Sequence, residues 1–243
     1  MSRRVEPASD PFGRRTSGWN VTLEAVVFDF DGLMVDTEWA IYETSRVAFA
    51  EHGHELTVEA WATVVGINDD SDQGWWSGLL AAAGIEAFER ERFDAVYSAQ
   101  DRSNRDALPM LAGVEVLIDS LTSAGVPIGI ASSSSLAWLD RHTLRLGVAE
   151  RFGAIIGADT VGGVGKPAPD VYLRACADLC ATPGRSVALE DSAHGVTAAK
   201  AAGMLAVAVP SRITRFNDFT HADLVVASLA DLSVADIEAL VSP

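Results

Sequence analysis

The stretch Leu23 to Glu38, LEAVVFDFDGLMVDTE, decides how the rest of the chain is read. Leu23, Ala25, Val26, Val27 and Phe28 form a short apolar run, the pattern of a strand buried on both faces of a parallel sheet. The run stops at two carboxylates, Asp29 and Asp31, with Phe30 between them and Gly32 behind. Two acids one residue apart at the end of a buried strand are costly unless something neutralises them. A divalent cation such as Mg2+, which takes hard oxygen ligands, would do so. In open α/β sheets ligands sit at the carboxyl ends of the strands, where this pair falls. The simpler alternative is a strand followed by an ordinary Asp-Gly turn.

At 243 residues the chain can hold a core domain with a smaller one inserted, and 49% hydrophobic residues are enough for a sizeable core. Acidic residues outnumber basic ones by 34 to 18, a net charge of −16. That field argues against nucleic acid or an anionic membrane as partners. A phosphorylated small molecule would need a local positive site, and the only lysines are Lys166 and Lys200. Cys176 and Cys180 lie four apart in a helical-looking segment and are expected on one helix side as small core filler. No apolar run approaches the roughly 20 residues of a membrane span. The opening MSRRVEPASDPFGRRTSGWN has arginines but no apolar core of a secretory signal. The expectation is a cytoplasmic monomer.

Residues 1–22 mix Arg, Pro, Ser and Gly without periodicity and read as a disordered tail. Residues 37–105 change character. Glu38 to His52, Thr57 to Val65, Ser71 to Ala83 and Ile85 to Arg102 each suggest a helix, with Gly53, Gly66 and Gly84 as helix ends. A helical block here, holding Trp39, Trp61, Trp75 and Trp76, predicts an inserted cap. Residues 23–36 and 106–243 then form the catalytic core. From Leu108 onwards helices alternate with apolar runs at Val126 to Ala131, Ala154 to Gly157, Val187 to Leu189, Leu205 to Val209 and Leu224 to Val226. This alternation predicts right-handed crossovers and a doubly wound, Rossmann-like parallel sheet in an α/β fold.

Three further features fall at strand ends. PIGIASSSS closes a strand in hydroxyls, Ser132 first and Ser133 next; alone, such a run is most simply a loop or helix N-cap. Lys166 sits in GADTVGGVGKPAPD, where a glycine- and proline-framed loop can aim an ammonium at a phosphate or carboxylate. SVALEDSAHGVTAAKAAGM ends a strand in Glu190-Asp191 before an Ala-rich helix, and acids in that position suit a metal as well as a cap. Lys200 on that helix reads as an ordinary exposed residue.

DFDGLMVDTE resembles the first motif of the haloacid dehalogenase superfamily, in its phosphatase and phosphomutase branch. The first Ser after the second strand, GKPAPD and EDSAHGVTAAKAAGM are similar to its second, third and fourth motifs, in the same order. The resemblance implies that Asp29 is the nucleophile and Asp31 the general acid/base. It implies that Ser132 and Lys166 hold the phosphoryl group. It further implies Mg2+ bound by Asp29, the backbone carbonyl of Asp31, Asp191 and, through water, Glu190. Dehalogenases of the superfamily lack the second Asp, so Asp31 argues against dehalogenation. Cap residues select the substrate, with Glu38, Asn68, Asp69 and Trp75 as candidates, and Ser133 of the core is a further candidate for substrate binding.

Within the branch the choice lies between phosphatase and a beta-phosphoglucomutase-like isomerase. Asp69 falls where the mutase has an Arg after a Gly, and residues 37–105 contain no Lys. Arg46, Arg90, Arg92, Arg102 and Arg105 remain as substitutes. Trp75-Trp76 resembles the hexose-phosphate phosphatases, and the expected activity is sugar-phosphate hydrolysis. A non-catalytic protein on this fold is the alternative from another class; it predicts loss of a motif residue, and all six are present.

Overall fold

The computed structural model describes residues 22–64, 72–85, 90–91 and 107–242, the side chains of 72–76 excepted. The first apolar run forms strand β1 (Ala25–Phe28), fully buried along its length. Helices α1 (Thr37–Glu51), α2 (Val58–Ala62) and α3 (Asp72–Ala82) follow. The chain then alternates through α4 (Val114–Ser123), β2 (Ile128–Ala131), α5 (Leu136–Arg145), β3 (Ala154–Ile156), α6 (Asp170–Asp178), β4 (Ser186–Glu190), α7 (Ala193–Ala201), β5 (Leu205–Ala208) and β6 (Leu224–Val225). Helix α8 (Val234–Val241) closes the described chain.

The six strands form one sheet in the order β3-β2-β1-β4-β5-β6, with every pairing parallel. The fold is therefore the expected doubly wound α/β sheet. Strand β1 lies between β2 and β4, with Phe28 level with Ile130 on one side and Leu189 on the other. The three strands end together, so residues just beyond them share one crevice where the strand order reverses. One cluster of buried side chains, with Phe28, Ile118 and Leu139, covers one sheet face. A second, with Val27, Tyr172 and Val196, covers the other.

The described helices after β1 gather a third cluster of their own around Tyr42, Phe49, Leu56, Trp61 and Leu79. The chain leaves for it and returns from it at one place. Val35 bridges Met110 in antiparallel fashion, and Leu111 N donates to Met34 O at 2.8 Å. Among the described residues no strand lies between Thr37 and Ala82.

Several local expectations change. Cys180 lies beyond the end of α6, exposed and with φ of 55°, so only Cys176 is buried core. The four-residue spacing suggested a shared helix face, but the helix stops at Asp178 before the second thiol is reached. Lys200 is half-buried and pairs with Asp223 at 2.6 Å, and Asp223 also accepts from Ala206 N at 2.7 Å. It therefore ties α7 to the segment before β6 rather than standing free in solvent. Helix α8 was not foreseen. Its eight residues carry too short an apolar pattern to be read alone, although a capping box between Ser233 and Asp236 marks its start.

Candidate active site

The strand ends bring Asp29, Ser132, Glu190 and Asp191 into one crevice, and the loop before α6 adds Lys166; all five are buried. Lys166 Nζ donates to Glu190 Oε1 at 2.5 Å and also to Asp29 Oδ1. Its backbone N donates to Ser133 Oγ at 3.1 Å, so Ser133 fixes the loop that carries the ammonium. The Lys166–Pro167 peptide is cis.

Asp29, Glu190 and Asp191 each present a carboxylate oxygen within 4.8 Å of the others. Glu190 is already well supplied with donors. Its Oε1 accepts from Lys166 and from Tyr172 Oη at 2.5 Å, and its Oε2 takes long bonds from Ser192 N and Oγ at 3.4 and 3.3 Å. Asp191 Oδ2, by contrast, is buried with no hydrogen-bond partner. A buried acceptor of this kind needs a partner. Three carboxylates around one ammonium also leave two negative charges, the charge of one divalent cation. The residues thus fit a hard divalent ion with Asp29 and Asp191 as direct ligands and Glu190 one step further out.

Two glycines make room for these acids. A Cβ on Gly32, which has φ of +89°, would lie 2.3 Å from Asp191 Oδ2. A Cβ on Gly195, in the first turn of α7, would lie 1.9 Å from Glu190 Cδ. Gly195→Ala is therefore expected to displace the Glu190 carboxylate and lower stability by about 1 to 3 kcal/mol, as overpacking in a dense interior does. Chemical denaturation checks this, and an unchanged midpoint would contradict the tight packing of α7 on Glu190.

Burial pushes the Asp29 carboxyl up to about 8, against the lowering pull of Lys166 and with the help of Glu190. Burial also raises Asp191 well above the usual carboxylate range, with Asp29, Glu190 and Glu38 adding to the rise. For Lys166 burial disfavours the charge, yet Asp29 and Glu190 outweigh it and its pKa ends above the ordinary lysine value. An acid with a higher pKa folded than unfolded binds more protons in the native state. Its contribution to stability falls as pH rises from 3.8 to about 8. In cation-free protein the melting temperature should therefore drop from pH 5 to pH 8 more steeply for wild type than for Asp29→Asn. Adding Mg2+ at pH 8 should restore it for wild type. Parallel slopes in the two proteins would contradict this assignment.

The Asp31 carboxylate turns to a separate set of donors. Its Oδ1 accepts from Thr37 Oγ1 at 2.8 Å and Trp138 Nε1 at 3.1 Å. Its Oδ2 accepts from Ser134 Oγ at 2.6 Å and, at a long 3.4 Å, from Ser132 Oγ. Ser132 Oγ in turn accepts from Ser134 N at 3.0 Å. Sequence reasoning missed Thr37, Ser134, Trp138 and Tyr172. The only signal was positional, since Thr37 opens α1 and Ser134 and Trp138 flank the cap of α5.

Glu38 lies half-buried in the first turn of α1, close enough for its charge to be felt at Asp191. Asn68, Asp69 and the side chain of Trp75 lie outside the described residues, as do Arg92, Arg102 and Arg105. Arg46 pairs with Glu43 at 2.8 Å on the surface of α1.

The haloacid dehalogenase-like hydrolase family matches residues 26–209. The chain is 34% identical over 235 residues to the Bacillus subtilis (strain 168) protein YhcW, covering 88% of this chain and 95% of that protein. It is 29% identical over 216 residues to hexitol phosphatase B of Escherichia coli (strain K12), covering 88% of this chain and 96% of that one. A crystal structure of a HAD family hydrolase from Deinococcus radiodurans R1, with bound phosphate and sodium, superposes with a TM-score of 0.72 at 28% identity. That superposition covers 91% of this chain and 98% of the other.

Proposed function

This chain belongs to the haloacid dehalogenase-like hydrolase family, and from that premise we propose that it is a Mg2+-dependent phosphatase. Its substrate is a small phosphate monoester of sugar-phosphate type, hydrolysed through an aspartyl-phosphate. The observation that carries this reading is the buried meeting of Asp29 with Lys166 and Asp191, one residue from the separately held Asp31. The name of hexitol phosphatase B supports the choice of a polyhydroxylated phosphate ester. Helices α1, α2 and α3, with their own hydrophobic cluster, serve as the cap that shapes the substrate end.

The Asp29 carboxylate attacks phosphorus in line; a phosphorus–oxygen bond to Asp29 forms and the ester bond to the leaving alkoxide breaks. Asp31 gives that alkoxide its proton, then takes one from the water that attacks the aspartyl-phosphate and frees Asp29 with inorganic phosphate. Lys166 and Ser132 hold phosphoryl oxygens, and the Lys166 ammonium lets the anionic substrate approach an anionic nucleophile. Mg2+, held by Asp29, Asp191, the backbone carbonyl of Asp31 and, through water, Glu190, would supply charge neutralisation on the transferring group. No helix among the described residues is long and apolar enough to cross a membrane. A small-molecule partner, a monomeric state and a cytoplasmic location complete the reading.

The test is phosphate release across a panel of sugar and nucleoside monophosphates, with Mg2+ and with EDTA. Beta-glucose-1-phosphate is also followed for conversion to glucose-6-phosphate. Mg2+-dependent release that ranks sugar phosphates first is the expected result. Isomer formation without free phosphate would make the chain a mutase instead.

A further inference from the structure

Three consecutive residues after β5 reach from the helical block to the acids of the site. Arg212 pairs with Asp36, the residue before α1, and its guanidinium carbon stacks 4.1 Å from the Trp39 ring. Ile213 is fully buried, in the hydrophobic cluster of the helical block. Thr214, also fully buried, donates from Oγ1 to the backbone carbonyl of Asp191 at 2.5 Å.

The bonding around Thr214 leaves its hydroxyl one role. Its oxygen accepts from Ser211 N at 2.9 Å and lies 3.0 Å from Ser211 Oγ. Since the Thr214 proton goes to Asp191, Ser211 must be the donor in the hydroxyl pair, and the Thr214 oxygen is filled. Ser211 Oγ meanwhile accepts from Thr214 N at 3.2 Å, which closes the turn on itself. The far side of the same loop is anchored at the site as well, because Val209 N donates to Glu190 O at 2.6 Å. Asp191 is thus gripped on its main chain by Thr214, while its unpartnered Oδ2 packs against Gly32.

We propose that the segment Arg212-Ile213-Thr214 is a strap that couples the position of the helical block to the cation site. In it Thr214 is the positioning residue for Asp191. A shift of α1 relative to the sheet pulls on Arg212 and Ile213, and the shift is passed through the turn to the Asp191 carbonyl. Coupling is reciprocal, so occupancy of the cation site also biases the helical block. The inference rests on the Mg2+-dependent reading above, because it assigns a use to Asp191 as a ligand.

The test is calorimetric titration of wild type, Thr214→Val, Thr214→Ser and Arg212→Met with Mg2+ in the absence of substrate. Thr214→Val, which keeps the shape and removes the donor, is expected to weaken Mg2+ binding about tenfold, the lower range for outer partners of metal ligands. Thr214→Ser should remain near wild type. Arg212→Met sits on a half-exposed residue and leaves the buried turn intact; it is expected to weaken Mg2+ about threefold without touching any ligand. Wild-type affinity in either Thr214→Val or Arg212→Met overturns the strap. A wild-type protein that binds no Mg2+ overturns the phosphatase reading and the strap with it.

Discussion

Asp29→Asn is expected to lower phosphate release by about 10^4-fold or more, the scale seen when a nucleophile is removed from an otherwise intact site. The fold should survive. The amide has the size of the carboxylate, and its oxygen can still accept from Lys166, which holds Asp29 now. Asp31→Asn should also cost about 10^2- to 10^4-fold, the contribution of a positioned acid/base, but it leaves the attacking carboxylate in place. Acid-quenched protein should therefore carry phosphate at Asp29 in the Asp31→Asn variant with an activated aryl phosphate. No phosphate should be carried by Asp29→Asn. Full activity in Asp29→Asn would remove the covalent route.

The second large effect concerns Lys166. Its ammonium is buried between Asp29 and Glu190, so Lys166→Met leaves a group of acids with no internal cation. Breaking a buried pair costs about 3 kcal/mol where the stranded carboxylate can take up a proton. In cation-free protein that loss corresponds to roughly 6 to 12 °C in melting temperature. Turnover should fall about 10^3-fold, because a phosphoryl dianion would then meet the nucleophile without screening. Mg2+ affinity should rise, since the acids compete with no internal cation for their charge. Thermal melts with and without Mg2+, set beside kcat, separate these effects. Unchanged melting and unchanged kcat together would remove Lys166 from the site.

The parts of this site that were legible in the sequence share one property, an abrupt change of polarity. Val27 and Phe28 give way to Asp29, and Leu189 to Glu190 and Asp191, at points where an apolar strand has to end. Lys166 stood out because lysine is scarce in this chain and this one is framed by Gly and Pro. Thr37, Ser134 and Trp138 offered no such contrast. A Thr at a helix start or a Ser before a helix is what capping alone requires, and their convergence on Asp31 comes from the fold setting the start of α1 against the start of α5. Thr214 and Tyr172 were hidden for a similar reason, since each acts through a residue far away in the chain, Asp191 and Glu190. Helix α8 and the exposed Cys180 show the other boundary of sequence reading. Where a helix starts or stops within two residues depends on tertiary contacts that periodicity does not carry.

The central placement of β1 also has a consequence for how the molecule comes into being. Strand β1 takes one neighbour from residues around Ile128 to Ile130 and the other from Ser186 to Leu189. On a ribosome, therefore, Ala25–Phe28 emerges before either neighbour and waits with one or both hydrogen-bonding edges bare until Ser186–Leu189 has been made. Pairing at such separations is slow. Asp29 and Asp31 at its end are then solvated and harmless, held apart from Lys166 until that lysine has been made and folded into place. The proposed reactive centre cannot assemble in any nascent chain that stops before β4, so its acids and the second edge of its central strand are completed in the same event.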